Sequence, residues 1–179
     1  MLDNVLIPLI ISTLVAGEAT MGIAGTPIAA AFQPTQQGVN TQQTIFIFKV
    51  ADHRYGSLLR EDIWDAEKNQ MTHIESQQYE TTFQISTLAT QNPKNQTQYT
   101  AADIANYCAA ILQSSVALAT FQAAGVGIER ITEVRNPNFS DDRARNEYNP
   151  SFDVVMTHKQ VIITTTPIIS AFEFNVYEI

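Results

Sequence analysis

Residues Thr44 to Val50 read TIFIFKV, an unbroken β-branched and aromatic run. A strand with one wet face alternates apolar and polar positions, so a run without alternation marks a strand covered on both faces. It is expected in the centre of a sheet. Other patterned segments say what can lie beside it. Asp3 or Asn4 can cap a helix through about residue 17, with Leu6, Leu9, Ile10, Thr13 and Leu14 on one face and Val5, Ile7, Ile11 and Val15 leaving little polar surface opposite. Such a helix should be covered on most sides, with Pro8 tolerated only near its first turn and Gly17 or Gly22 marking its end. Thr100-Ala101-Ala102-Asp103 has the form of a capping box with Asp where Glu or Gln is usual. Ile104, Cys108, Ile111 and Leu112 follow at helical spacing, Ser114-Ser115 offers a restart, and Leu118 and Phe121 carry the pattern toward a stop at Gly125. Gln78 to Ala89 alternates, as a strand with one wet face does.

The remaining segments are less periodic. Gly22 to Asn40 mixes Gly, Pro and Gln and reads as a linker or loop. Residues 51–70 hold many titratable side chains, His53, Arg54, Arg60, Asp62, Asp65, Glu67 and Lys68 among them, and the only tryptophan, Trp64, without a clear period, which predicts a solvated loop. Val126, Ile128, Thr132 and Val134 alternate as a strand interrupted by Arg130, and Asn136 to Pro150 reads as a second charged loop. Ser151 to Thr166 and Ile168 to Tyr177 are strand-like runs around Pro167. Together these predict an α+β fold, a mainly antiparallel sheet of about five strands with helices packed on one side. Residues 1–30 are expected to form an apolar helix and lead-in whose removal leaves a folded domain, and residues 31–179 a single α+β domain.

Charge narrows the function classes. The 179 residues carry 18 Asp plus Glu against 10 Lys plus Arg, a formal net charge of −8, and charged residues make up only 16%. The chain is rich instead in neutral polar side chains, 19 Thr and 15 Gln, which can sit at a protein contact without the desolvation cost of ions. Without a Lys/Arg cluster, an acidic chain is not expected to bind nucleic acid. The single cysteine, Cys108, cannot form an internal disulfide and points to a reducing site of synthesis. The start lacks a cationic segment, so no secretion signal is expected, and the apolar run Val5 to Ala16 is shorter than the ~20 residues that span a bilayer.

No catalytic constellation emerges. His53, His73 and His158 stand apart, and Cys108 has no second cysteine with which to hold zinc. His73 and Glu75 would share a strand face, where surface hydrogen bonding is the simpler role. Gly125-Val126-Gly127 lacks the third glycine of a dinucleotide fingerprint and reads as a helix stop before a strand. Asp141, Asp142 and Glu147 could pair for acid–base work or hold a hard cation, but Arg143 and Arg145 lie among them and favour a loop that meets another subunit. A small metal-dependent hydrolase using Asp141, Asp142 and His158 is the enzymatic alternative. Neither catalytic residues nor a cofactor are expected.

The order of segments resembles the neck or tail-terminator proteins of tailed bacteriophages. The residues that carry the likeness are Phe32-Gln33-Pro34-Thr35-Gln36-Gln37-Gly38, the strand ending Lys49-Val50, the Trp-containing acidic stretch, Tyr79-Glu80-Thr81-Thr82-Phe83-Gln84, Thr100-Ala101-Ala102-Asp103 and Ala110-Ile111-Leu112-Gln113-Ser114. Ala124-Gly125-Val126-Gly127-Ile128, Arg135-Asn136-Pro137, Asp141-Asp142-Arg143, Pro150-Ser151-Phe152-Asp153 and Thr157-His158 continue it over about residues 30 to 179. The resemblance implies a non-enzymatic virion protein, made in the bacterial host cytoplasm, that forms a hexameric ring in the neck. That ring would cap the tail tube, end tail growth and join the tail to the head-side connector, with sheath proteins as further partners. DNA would pass through its lumen without specific binding, and no membrane is involved. A stopper or collar protein is the neighbouring alternative. Expected contact residues are Gln33, Pro34, Gln36, Gln37, Trp64, Asp141, Asp142, Arg143, Arg145 and Glu147.

Overall fold

The structure, a computed structural model, describes residues 2–30, 43–89, 94–95, 97–140 and 146–167. Helix α1 (Asp3–Glu18) leads through turns into a short strand β1 (Ile28–Ala30). The long strands β2 (Thr44–Asp65) and β3 (Gln70–Leu88) form a hairpin, and helices α2 (Ala101–Gln113) and α3 (Ser115–Ala123) follow. Next come β4 (Val126–Ile131), a ribbon of β5 (Asn138–Ser140) and β6 (Asn146–Tyr148), and the strand β7 (Ser151–Pro167). The main sheet runs in the order β1-β2-β3-β7-β4, with only β1–β2 parallel. This is the expected α+β class with five strands, although β3 rather than β2 takes the centre.

Alternation decides where the core sits. Ile45 and Ile47 of β2, Phe83 and Ile85 of β3, and Phe152, Val154 and Met156 of β7 lie on one sheet face, all at 1% exposure or less. Leu6, Ile10 and Leu14 of α1, Ile104, Cys108 and Leu112 of α2 and Phe121 of α3 close the same cluster. Thr100 makes the expected capping box with Asp103, its hydroxyl accepting from the Asp103 N–H while the Asp103 carboxylate accepts from the Thr100 N–H. Ser114 then caps α3 through the Ala117 N–H, and Gly125, at φ +73°, ends it. Leu118, expected on the buried face, is exposed, because α3 bends 57° away from α2 at Ser114 and turns a different side inward. No single helix among the described residues is long and apolar enough to cross a membrane.

Several expectations change on contact with the structure. Residues 51–65 belong to a paired strand and Gln70 opens the next, in place of the solvated loop expected over 51–70: every side chain from Val50 to Trp64 is exposed, so no burial period advertised the strand. The linker from Gly22 contains β1, whose backbone pairs with Ile45–Ile47. The charged segment 136–150 carries the β5–β6 ribbon. Pro8 sits in the second turn of α1, where its missing N–H leaves the Asn4 carbonyl without its intrahelical donor. Coverage of α1 is one-sided, with Val5 and Val15 exposed. Residues 168–177, expected as a strand, lie outside the described residues.

Nor does Gly17 end α1. A Cβ at this position would stand 2.3 Å from Ile111 Cγ2, so the glycine lets α1 and α2 approach. Gly17→Ala is expected to cost about 1–3 kcal/mol by overpacking, more than the ~0.5–1 kcal/mol gained in helix propensity. Denaturant melts should show Ile111→Ala relieving that cost, so the double variant loses less than the two single losses added. Helix α1 is itself core: burying Leu6, Ile10 and Leu14 at roughly 1.5–3 kcal/mol each is comparable to a whole domain's stability of roughly 5–15 kcal/mol. Removing residues 1–30 is therefore expected to abolish cooperative unfolding in calorimetry, against the expectation of an independent remainder.

Candidate functional site

Where the sheet leaves the helical layer, a β-bulge gathers a polar cluster. Lys49 pairs with Phe83, but two residues later Ala51 pairs with Thr82, so β2 holds one extra residue. The shift turns Asp52 onto the helix-side face beside Lys49 and opposite Thr81. Lys49 Nζ donates to Asp3 Oδ1 at 2.7 Å and pairs with Asp52, tying the first turn of α1 to the sheet. Thr81, fully buried, donates its hydroxyl to Asp52 Oδ1 at 2.7 Å. Its one proton is thereby committed, so at the 2.8 Å contact with His158 it accepts from Nε2–H, which assigns the histidine tautomer. His158 stacks on Tyr79 with centroids 5.7 Å apart, and the Arg54 guanidinium lies 5.9 Å from the Tyr79 centroid. Leu2, Asp3, Asn4, Lys49, Asp52, Arg54, Tyr79, His158 and Gln160 line a cavity of about 640 Å³ there.

Beyond this junction β2, β3 and β7 continue as a three-stranded arm, Leu59–Asp65 against Gln70–Ser76 against Val161–Pro167, about 20 Å long at the usual strand rise. A second irregularity between Tyr55 and Leu59 opens it, with Gly56 at φ +71° and the Gln77 amide donating to the carbonyls of Tyr55 and Gly56. The two arm faces differ in character. Leu59, Ile63, Ile74, Val161 and Ile163 fall on one face by register, all at least partly exposed. On the other, Arg60 pairs with Glu75 at 3.0 Å, and His73 bonds Asp62 at 2.6 Å and Thr166 at 3.1 Å. His73 and Glu75 therefore share a face as their spacing predicts, each engaged by a neighbouring strand.

Of the sequence-predicted contact residues, Trp64 lies at the arm tip, 46% exposed and paired with Met71. Gln33, Pro34, Gln36, Gln37, Asp141, Asp142, Arg143 and Arg145 lie outside the described residues, and Glu147 is placed on β6 by its backbone alone. His158, the histidine of the hydrolase alternative, is buried at the base of the arm. No group of three or more His, Cys, Asp or Glu among the described residues is arranged to hold a metal ion. Cys108 is buried, and burial pushes its thiol up to about 12. The Lys49–Asp52–Thr81–His158 cluster was missed because the bulge that assembles it breaks the period of two.

The cluster makes stability pH-dependent in a definite direction. Burial, which outweighs the opposing charge of Asp52, pulls His158 below the ordinary histidine value. Burial alone would raise Asp52, but the bonds from Lys49 and Thr81 outweigh it and hold the carboxylate below its usual value. The folded state therefore refuses a proton at His158 that the unfolded state accepts near pH 6.5, so this contribution is complete above that pH and declines below it. The Asp52 contribution is lost at lower pH, as its carboxylate is protonated. Melting temperature is expected to fall from pH 7 to pH 5, and His158→Gln, which keeps a donor for Thr81, should flatten that slope in thermal melts.

The comparisons with known proteins agree with this architecture. The structure is similar to that of the PVC sheath/tube terminator of an extracellular contractile injection system in its extended state, with a TM-score of 0.58 at 12% identity. The alignment covers 99% of this chain and 64% of the terminator, so the chain spans less than two thirds of that protein and the likeness is one of fold. No curated protein sequence matches. The family model of the E217 gateway protein gp29 matches residues 5–168, from the first turn of α1 through the arm to the end of β7. The chain belongs to that phage family, in the tail-terminator and neck class that the order of its segments resembles.

Proposed function

We propose that the protein is a structural, non-enzymatic component of the phage neck. In this reading six copies form a ring that caps the tail tube, ends its growth and meets the head-side connector. The observation that carries the reading is the family match over residues 5–168, which takes in the core and the arm together. The arm supports it: a chain that projects Leu59, Ile63, Trp64 and Ile163 into solvent is built to be covered by another protein. Closure by head-to-tail contacts needs two unlike patches per subunit. The arm with Trp64 supplies one candidate, and Gln33 to Gln37 with Asp141, Asp142, Arg143, Arg145 and Glu147 supply others. The net charge of −8 suits a ring through which DNA passes without adhering.

A stopper or collar role shares this logic and differs in the partner met, so the deciding experiment measures tails. Particles assembled without the protein are expected to carry overlong or unattached tails in electron micrographs. Tails of normal, uniform length on filled heads would overturn the terminator reading, whereas normal tails that fail to join heads would move the protein to the connector side.

A further inference from the structure

Among the described residues the arm has two open edges. Strand β1 pairs only with Ile45–Ile47 and β4 only with Val154–His158. Among the described residues, β2 from Phe48 outward and β7 from Gln160 outward therefore have a partner strand on the β3 side alone. Soluble proteins guard such edges with lysines, prolines, inward charges or brevity, because unpaired N–H and C=O groups template pairing with another chain. Here Val161 to Thr166 reads VIITTT, six β-branched residues without a charge, guarded only by Pro167 at the end. Val161, Ile162 and Ile163 are 46%, 51% and 63% exposed.

From this geometry we infer that the arm edges are completed by further copies of this chain, the β7 edge of one copy pairing with the β2 edge of the next. Two observations select that occupant. First, β2 and β7 are both antiparallel to β3, so they run parallel to each other on opposite edges of the arm. Rotation about a common axis brings β7 of one copy beside β2 of the next in the same direction, a head-to-tail contact that repeats and closes. Second, the area is too small for a pair. The eight residues Gln160–Pro167 extend about 26 Å, and with a sheet about 10 Å thick the edge hides about 260 Å² on each side. The resulting total of about 520 Å² is under half the lower bound of a stable interface, roughly 1,200 Å². Two copies would separate, whereas in a closed ring each copy is held on both edges. Pairing would also join the face of Leu59, Ile63, Ile74, Val161 and Ile163 from copy to copy into one apolar band.

The inference deepens the ring reading and rests on it for the number of copies, while its test is independent of tails. Ile162→Lys with Thr164→Lys places charge on the β7 edge, and Glu61→Lys with Ile63→Lys does so on the β2 edge. All four positions are exposed, so circular dichroism and melting temperature should match the parent. Native mass spectrometry is expected to show a closed multimer for the parent and monomer for each edge variant alone. An equimolar mixture of the two variants keeps one intact β7 edge and one intact β2 edge, and should show no species larger than a heterodimer. Assembly of either variant to the parent's size, or a parent that stays monomeric up to its solubility limit, would overturn the edge contact. Abnormal tails in particles lacking the protein, combined with rings from the edge variants, would sink this inference and leave the neck role standing.

Discussion

The structure depends on one strand bonded along both edges. Strand β3 pairs with β7 without a register shift from Gln70 to Ser86 and with β2 over nearly the same span. Because its partners outrun the helices, the sheet obeys two rules along its length. Near Phe83 and Ile85 it is one wall of a packed core, where large side chains interdigitate and one methylene matters. Near His73 and Glu75 it is held mainly by its hydrogen-bond ladder and cross-strand pairs, each worth only a few tenths of a kcal/mol to about 1 kcal/mol. Cooperative stability therefore resides in the proximal half, and the distal half borrows order from it.

The junction between the halves is where charge enters. Lys49, Asp52 and Thr81 occupy positions that continue the core face, and they are accommodated because donors and acceptors alternate from Asp3 through His158. A half-satisfied version would be costly, since removing one partner leaves a desolvated group behind. The network also anchors the amino-terminal turn of α1, which lacks a side-chain cap, by tying Asp3 to Lys49 of the sheet.

Core and helices were legible in the sequence because burial imposes a period. The run from Thr44 to Phe48, the alternation from Tyr79 to Thr87 and the spacing of Ile104, Cys108, Ile111 and Leu112 are signatures of contact with other residues of the same chain. The arm was illegible for the converse reason. His53, Arg54, Arg60, Glu61 and Asp62 are spaced like loop residues because neither face of β2 is buried there, and only pairing with β3 makes them a strand. Pattern reading sees a chain's dealings with itself, and surfaces facing outward leave no comparable trace.

The extra residue at Val50 acts as a reading frame for the strand that follows. A strand presents alternate residues to opposite sides, so an insertion of one exchanges the two sides of everything beyond it, whereas the pair of extra residues between Tyr55 and Leu59 leaves that assignment unchanged. Losing a single residue near Val50 would send Asp52, Arg54, Arg60 and Trp64 to the side now occupied by Leu59 and Ile63, with β3 and β7 undisturbed. In relatives of this protein, length changes at that point should therefore come in twos, or be accompanied by an exchange of apolar and charged residues along the whole outer half of β2.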